Sequence, residues 1–179
     1  MVEDRVKLIL EKTFKDALSM LRVESSRYFF TFEKMGNMFL TLENAVEIDL
    51  TNNIVYINEE WANLAINEMP SDLFFQMAHE ARHIYQREEI IKYIGGKKHS
   101  EPSDIVKSWI ANRKNYKRNV GGNSVLYYQR QPVEVDTNAF AAFYILINRL
   151  GDVKIPIESD DLVTKRLREI AKGYGFVIE

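Results

Sequence analysis

The sequence has no cysteine among its 179 residues, which excludes disulfides and every metal site built on thiolates. Any metal ion must therefore be bound by histidine, aspartate or glutamate side chains. No run of eighteen or more apolar residues is present, so we expect no membrane span. The first residues are charged and periodic and lack a small-residue cleavage site, so no signal peptide is predicted. These absences favour a cytoplasmic protein.

The composition is that of an ordinary globular protein, with 46% hydrophobic and 28% charged residues. The length predicts a single domain over 1–179. The formal net charge of −2 conceals an asymmetry, because residues 92–118 contain eight basic and only two acidic side chains. This basic segment is either a solvated, mobile insertion or a surface for an acidic partner or nucleic acid. In the last case its aromatic neighbours Trp109, Tyr116, Tyr127 and Tyr128 would supply stacking surfaces.

The most informative stretch is His79-Glu80-Ala81-Arg82-His83, an HExxH motif in a segment with helical periodicity. Residues four apart share a helix face, so His79 and His83 can bind one metal ion. Glu80 can then reach a water on that metal as a general base without being a ligand. The alternative is a chance pair of histidines on a core helix of a structural domain. A catalytic site needs a third protein ligand elsewhere in the chain.

Periodicity and capping signals predict an α+β protein. We expect an N-terminal helix within 1–24, a sheet and connecting helix within 25–69, and the motif helix over 70–95. An irregular basic insertion follows over 96–131, containing a short helix from Pro102-Ser103 and bracketed by Gly95-Gly96 and Gly121-Gly122. Two more helices are predicted over 132–150 and 158–173. The predicted strands are 27–34 and 37–42, forming a hairpin around Gly36-Asn37, a short extended piece at 45–50, and 54–58.

The helix over 132–150 is apolar nearly all round, so we expect it to be buried against the motif helix. Its only acidic residues, Glu134 and Asp136, lie in its first turn, where the helix dipole alone would favour them. Glu134 shares a face with Thr137, Asn138 and Ala141, which permits close approach of another helix. We therefore predict Glu134 as the third ligand, with Asp136 the weaker candidate. Asn138 is placed to accept a hydrogen bond from a ligating histidine.

HEARH, followed on a later helix by Glu134-Val135-Asp136-Thr137-Asn138-Ala139-Phe140-Ala141, resembles the HExxH plus ExxAN-x-FA pattern of ImmA/IrrE-type metallopeptidases. Thr137 stands where the family usually has alanine. The resemblance covers about 54–150 and implies a zincin-like fold of the gluzincin group: a small mixed or antiparallel sheet packed on a central HExxH helix, with a glutamate as third ligand on a second buried helix. It further implies that the strand at 54–58 forms the sheet edge along which a peptide substrate pairs.

These observations predict a zinc-dependent metallopeptidase that acts on a protein or peptide substrate. His79, His83 and Glu134 would be metal ligands, Glu80 the base, and Asn138 the partner of a ligating histidine. Tyr127, Tyr128, His99 and Tyr116 are candidate donors to an oxyanion or substrate. Two alternatives stay open: a metal-binding regulatory or interaction protein without hydrolytic activity, and a nucleic-acid module that uses the basic segment. The oligomeric state does not follow from the sequence.

Overall fold

The computed structural model describes residues 2–36, 38–42, 44–117, 124–153 and 155–178. Over these ranges the protein is a mixed α+β structure, which confirms the predicted class. The seven α-helices seen there are α1 (Asp4–Met20), α2 (Glu59–Glu68), α3 (Pro70–Ile94), α4 (Ser103–Lys114), α5 (Ser124–Gln129), α6 (Pro132–Asn148) and α7 (Asp160–Gly173). A 3₁₀ helix, Ile157–Ser159, precedes α7, and the strands are β1 (Phe29–Glu33), β2 (Val46–Asp49) and β3 (Ile54–Asn58).

The sheet is small and mixed, and its strand order is β1-β3-β2. β1 pairs in parallel with β3, from Phe29 opposite Ile54 to Glu33 opposite Asn58. β2 pairs antiparallel with β3, from Val46 opposite Ile57 to Asp49 opposite Ile54. Alternate residues of β3 are buried, with Val55 and Ile57 fully inaccessible, so one face of the sheet is in the core.

This topology differs from the predicted one in two respects. Residues 38–42 form no strand: only an isolated bridge joins Met35 to Phe39, while the predicted turn residue Asn37 lies outside the described residues. The hairpin is instead β2–β3. In addition, β3 is the central strand and not an edge, so the edge that faces α3 belongs to β2. The error arises because apolar alternation identifies a strand but not its pairing partner.

Helix α3 is the centre of the molecule and packs against α1, α6, α2 and α4. Completely buried alanines occur on both α3 (Ala78, Ala81) and α6 (Ala139, Ala141, Ala142). Such small side chains let two helix backbones approach closely, which brings polar groups of α3 and α6 within reach of each other. α7 covers α6, and α1 covers the sheet through an edge-to-face contact between Phe14 and Phe30. No helix among the described residues is long and apolar enough to cross a membrane.

The helix ends match the predictions with three corrections. α3 ends as predicted at Gly95-Gly96, where Gly96 has φ +64° and its N–H and that of Lys97 cap the last turn. α6 ends before Gly151, because Arg149 takes the left-handed conformation at φ 55°. Ser159 stands at the N-cap of α7 without capping it, since its hydroxyl donates to the Pro156 carbonyl. The predicted irregular insertion contains α4 and also α5, which the sequence did not indicate; Gly121-Gly122 lie outside the described residues.

Candidate metal centre

The middle of α3 presents His79 and His83 one turn apart, and their ring centroids are 4.8 Å from each other. The helical periodicity of the segment produces this arrangement, since side chains four residues apart lie over one another. His79 is buried and His83 is partly exposed. The pair therefore forms one wall of a site that is open on the His83 side.

Glu134, in the first turn of α6, completes the group. Its Oε2 lies 3.6 Å from Nε2 of His79, and its Oε1 lies 3.6 Å from Nε2 of His83. The three side chains offer ligand atoms that all lie within 4.8 Å of one another. Atoms bound tetrahedrally at about 2.1 Å from a metal are separated by roughly 3.4 Å. The residues present therefore fit a metal ion with only small adjustments, and they can hold one.

The Glu134 carboxylate supports this interpretation independently of the distances. The residue is completely buried. Its Oε1 accepts a hydrogen bond from the Tyr116 hydroxyl at 2.8 Å, whereas the buried Oε2 has no hydrogen bond of normal geometry among the described residues. Burial opposes ionisation, but His83, His79 and the hydroxyls of Tyr116 and Tyr128 outweigh it, so the pKa of Glu134 is lowered. A buried, ionised oxygen without a partner is costly, and a cation relieves that cost.

His79 is held in the orientation and protonation state that a metal ligand requires. Its Nδ1 lies 2.9 Å from Oδ1 of Asn138 on α6, the contact expected from the sequence, which leaves Nε2 directed at Glu134. Asn138 is itself fixed by donating to Gln129 at 3.2 Å. Burial and the nearby His83 lower the pKa of His79 to about 4, against weaker opposing effects of Glu134 and Asn138. His79 is therefore neutral at pH 7, as metal binding demands.

His83 has an orienting partner that the sequence analysis missed. Its Nδ1 lies 3.2 Å from Oε1 of Gln86, while the amide nitrogen of Gln86 donates to Asp136 and to the Val133 carbonyl. Gln86 is completely buried. Its position three residues after His83 on the motif helix was the available signal, because residues at that spacing are neighbours.

Glu80 lies beside the triad without belonging to it. The half-buried carboxylate accepts a hydrogen bond from the Gln76 amide at 3.0 Å. Burial raises its pKa to about 8, and the negative charges of Glu134 and of Glu47 on the β2 edge act in the same direction. A cation held by the triad would lower this pKa again, since opposite charge favours the ionised form.

Asp136, predicted as the weaker candidate for the third metal ligand, is not a ligand in this arrangement. It accepts hydrogen bonds from Nε and Nη2 of Arg82 at 2.8 and 3.0 Å, and from Nε of Arg166 at 2.8 Å. Both arginines also bind Glu101. The helical rotation of two residues turns Asp136 away from Glu134. The buried ionic cluster of Arg82, Asp136, Arg166 and Glu101 therefore joins α3, α6 and α7 beside the metal centre.

Two of the four candidate donors lie at the triad. Tyr116 donates to Glu134, and Tyr128 packs edge-to-face on Tyr116 with ring centroids 6.2 Å apart. Tyr127 is 61% exposed under the Lys117 ammonium group, and the described residues show no contact between it and the triad. His99 is bound within its own loop, 2.7 Å from the Glu101 carbonyl and in ring contact with Tyr93. The structure thus brings Tyr116 and Tyr128 to the site, but not Tyr127 or His99.

Gln131 explains how Tyr116 reaches Glu134. Its side-chain oxygen accepts from the Lys117 backbone N–H at 2.9 Å, and its amide nitrogen donates to the Lys117 carbonyl at 2.8 Å. The side-chain amide of Gln131 thus pairs with both backbone groups of Lys117, as a neighbouring strand would in a sheet. The two hydrogen bonds connect the segment after α4 to the start of α6. Asn112 of α4 adds a hydrogen bond to Gln131 and caps the Val133 N–H. The sequence carries no local signal for these long-range contacts.

The basic segment does not provide the predicted set of aromatic stacking surfaces. Trp109 is only 1% exposed, and the guanidinium of Arg82 lies over its ring at 5.8 Å. A side chain in the core cannot stack on nucleic-acid bases, so this part of the nucleic-acid hypothesis is wrong. Arg118, at the end of the segment, lies outside the described residues.

No protein-family model matches this sequence, and no curated protein or solved structure matches it. The likeness to ImmA/IrrE-type metallopeptidases therefore stays a prediction from the motifs.

Proposed function

We propose that this protein is a zinc-dependent metallopeptidase, zincin-like in fold, that hydrolyses a peptide bond in a protein or peptide substrate. The observation that carries the proposal is the convergence of His79, His83 and Glu134 with Glu80 beside them. Three ligands leave a fourth position for water or substrate, which distinguishes catalytic from structural zinc sites. A carboxylate next to that position supplies the general base.

Zinc is the metal that we infer for this donor set. Two imidazoles and one carboxylate are the donor set typical of catalytic zinc, and the same donors also bind other divalent ions. Asn138 and Gln86 orient the two imidazoles through their far nitrogens. Partners of this kind fix the tautomer and strengthen binding. Competition between zinc, manganese and cobalt in a binding titration tests the choice of metal.

In the proposed hydrolysis the cation would activate water and the protein side chains would transfer protons. A divalent cation in such a site lowers the pKa of a coordinated water and polarises a carbonyl group. Glu80 would take up the proton of a water at this position and deliver it to the leaving amine, and its hydrogen bond from Gln76 holds the carboxylate in place. The hydroxyls of Tyr116 and Tyr128 have raised pKa values, chiefly because they are buried, and therefore stay protonated at neutral pH. The single hydroxyl proton of Tyr116 is donated to Glu134, which leaves Tyr128 as the candidate donor to developing negative charge.

The substitution Glu80→Gln tests the mechanism because it keeps the size and the bond to Gln76 but removes the base. We expect zinc content to remain at the wild-type level and peptide hydrolysis to fall by at least about a hundredfold. The matched control is Glu68→Gln, an equal change on the exposed end of α2, which should retain full activity. Hydrolysis is followed on a mixed peptide library by mass spectrometry.

Two results would overturn the proposal. Full hydrolysis by the Glu80→Gln variant would exclude Glu80 as the base. Zinc bound by the wild-type protein without cleavage of any peptide would favour a metal-binding interaction protein instead.

A further inference from the structure

A cavity of about 420 Å³ opens on the surface between α2, the first turns of α3 and the segment leading into β2. Its walls are largely apolar and include Leu42, Ala45, Trp61, Leu64 and Phe75. Pockets for small molecules have volumes of roughly 300–1,000 Å³, so the cavity is large enough for a bulky side chain. The candidate metal centre and this cavity have only the Gln76 side chain in common, through its hydrogen bond to Glu80.

The cavity lies next to the candidate metal centre along one face of α3. Phe75 and Gln76 line the cavity, and the residues one turn further along are His79 and Glu80. The Phe75 ring centroid lies 6.4 Å from that of His79, and the Gln76 amide binds Glu80 at 3.0 Å. Four residues of helix correspond to a rise of about 6 Å. An extended peptide advances about 3.3 Å per residue, so the cavity is one or two residues from a bond held at the metal.

The β2 edge lies along the same path. Ala45, just before β2, lines the cavity, and β2 itself contacts α3. The cavity and the metal centre are therefore two parts of one surface, bounded by α3 on one side and by β2 on the other.

We propose that this cavity is the specificity pocket of the site and accepts a large apolar side chain, aliphatic or aromatic, from the substrate residue next to or one removed from the scissile bond. The proposal rests on the proposed peptidase function and adds the substrate class to it. Burial of an apolar side chain against apolar walls is favourable in free energy, whereas burial of an uncompensated charge there is unfavourable. Asp72 and Asp152 also line the cavity, so selection of lysine or arginine is the outcome that competes with this proposal.

The test is cleavage-site profiling of the zinc-loaded full chain on a synthetic library of unstructured peptides with randomised sequences. We expect leucine, isoleucine, methionine, phenylalanine, tyrosine and tryptophan to be enriched at one fixed position within two residues of the cleaved bond. Leu64→Trp fills the cavity and should reduce cleavage beside large apolar residues by at least about tenfold relative to alanine at that position. The matched control is Leu8→Trp, on an exposed position of α1, which should leave the profile unchanged.

A second variant keeps the test informative if Leu64→Trp does not fold, as judged by circular dichroism and zinc content. Leu64→Ala enlarges the cavity and should shift the preference towards tryptophan and tyrosine. Cleavage without side-chain preference, a preference for lysine or arginine, or an unchanged profile in both Leu64 variants would overturn the pocket assignment and leave the peptidase proposal intact. If the wild-type protein cleaves no peptide at all, both proposals fail.

Discussion

Asn138 is the residue on which the orientation of His79 depends, because its side-chain oxygen is the partner of Nδ1. We predict that Asn138→Leu, which removes this acceptor, weakens zinc binding roughly ten- to a hundredfold. Asn138→Asp keeps an acceptor for Nδ1 but loses the hydrogen bond that Asn138 donates to Gln129, so it should bind zinc more tightly than the leucine variant. A competition titration with a chromogenic chelator measures both. Equal affinity in the leucine variant would show that the Asn138 contact does not contribute to metal binding.

Asp136 makes stability depend on pH in the acid range. Burial opposes its ionisation, but Arg82, Arg166 and Gln86 outweigh burial and lower its pKa from the usual 3.8 to about 2. A carboxyl group with a lowered pKa stabilises the folded state above its unfolded pKa, and that stabilisation is lost as pH falls through the folded value. We therefore expect the metal-free protein to lose on the order of 2 kcal/mol between about pH 4 and pH 2 from this group.

Urea unfolding of the wild type and Asp136→Asn, both with chelator, isolates this contribution. The variant should be destabilised by about 3–5 kcal/mol at pH 6, because the buried Arg82 loses one of its two carboxylate partners and keeps only Glu101. The difference between the two proteins should shrink as pH falls from 4 to 2. A difference that stays constant over this range would contradict the assignment.

At the scale of elements, the end of α6 has an unfavourable backbone conformation, because Arg149 has φ 55°. A residue with a Cβ atom in the left-handed region is disfavoured by roughly 1–2 kcal/mol relative to glycine. The Arg149 side chain is exposed. We predict that Arg149→Gly raises the free energy of unfolding by about 0.5–1 kcal/mol, because the extra freedom of glycine in the unfolded chain offsets part of the gain.

Arg149→Ala is the matched control for this prediction. It removes the same side chain but keeps the Cβ atom, so it should not stabilise the protein. Urea unfolding at pH 7 measures both variants. Equal stabilisation by alanine and glycine would show that the arginine side chain, and not the backbone, is the cause.

The sequence predicts the helices of this protein better than it predicts the pairing of its strands. The two helices that carry the candidate metal ligands were predictable because each has strong local signals: Pro70 and Gly95 bound α3, and Pro132 starts α6. The pairing of the strands was not, because the partner of β3 is chosen by long-range packing and not by local alternation.

At the candidate site, too, local patterns were predictable and long-range contacts were not. His79, His83, Glu134 and Asn138 were found from helical spacing. The contact of Tyr116 with Glu134 depends on the Gln131–Lys117 bonds, which join residues fourteen apart. No periodic pattern reports such a contact.

For the whole molecule, the metal centre links α3 to α6 at the middle of the fold, so a ligand there should stabilise the entire chain. A ligand at a hundred times its dissociation constant adds about 2.7 kcal/mol. For a protein of this size that corresponds to an increase of about 5–10 °C in Tm. Thermal unfolding with zinc and with chelator tests this. An unchanged Tm at saturating zinc would contradict a site built between these helices.

The central claim is that His79, His83 and Glu134 bind one metal ion together. Calorimetric titration of zinc into the metal-free protein tests it most directly, with Glu134→Gln as the variant and Glu68→Gln as the control of equal chemistry. We predict one zinc per chain for the wild type and the control, and an affinity at least about a hundredfold weaker for Glu134→Gln, since a direct ligand matters more than its supporting partners. No stoichiometric zinc binding by the wild type, or equal affinity in the Glu134→Gln variant, would contradict it.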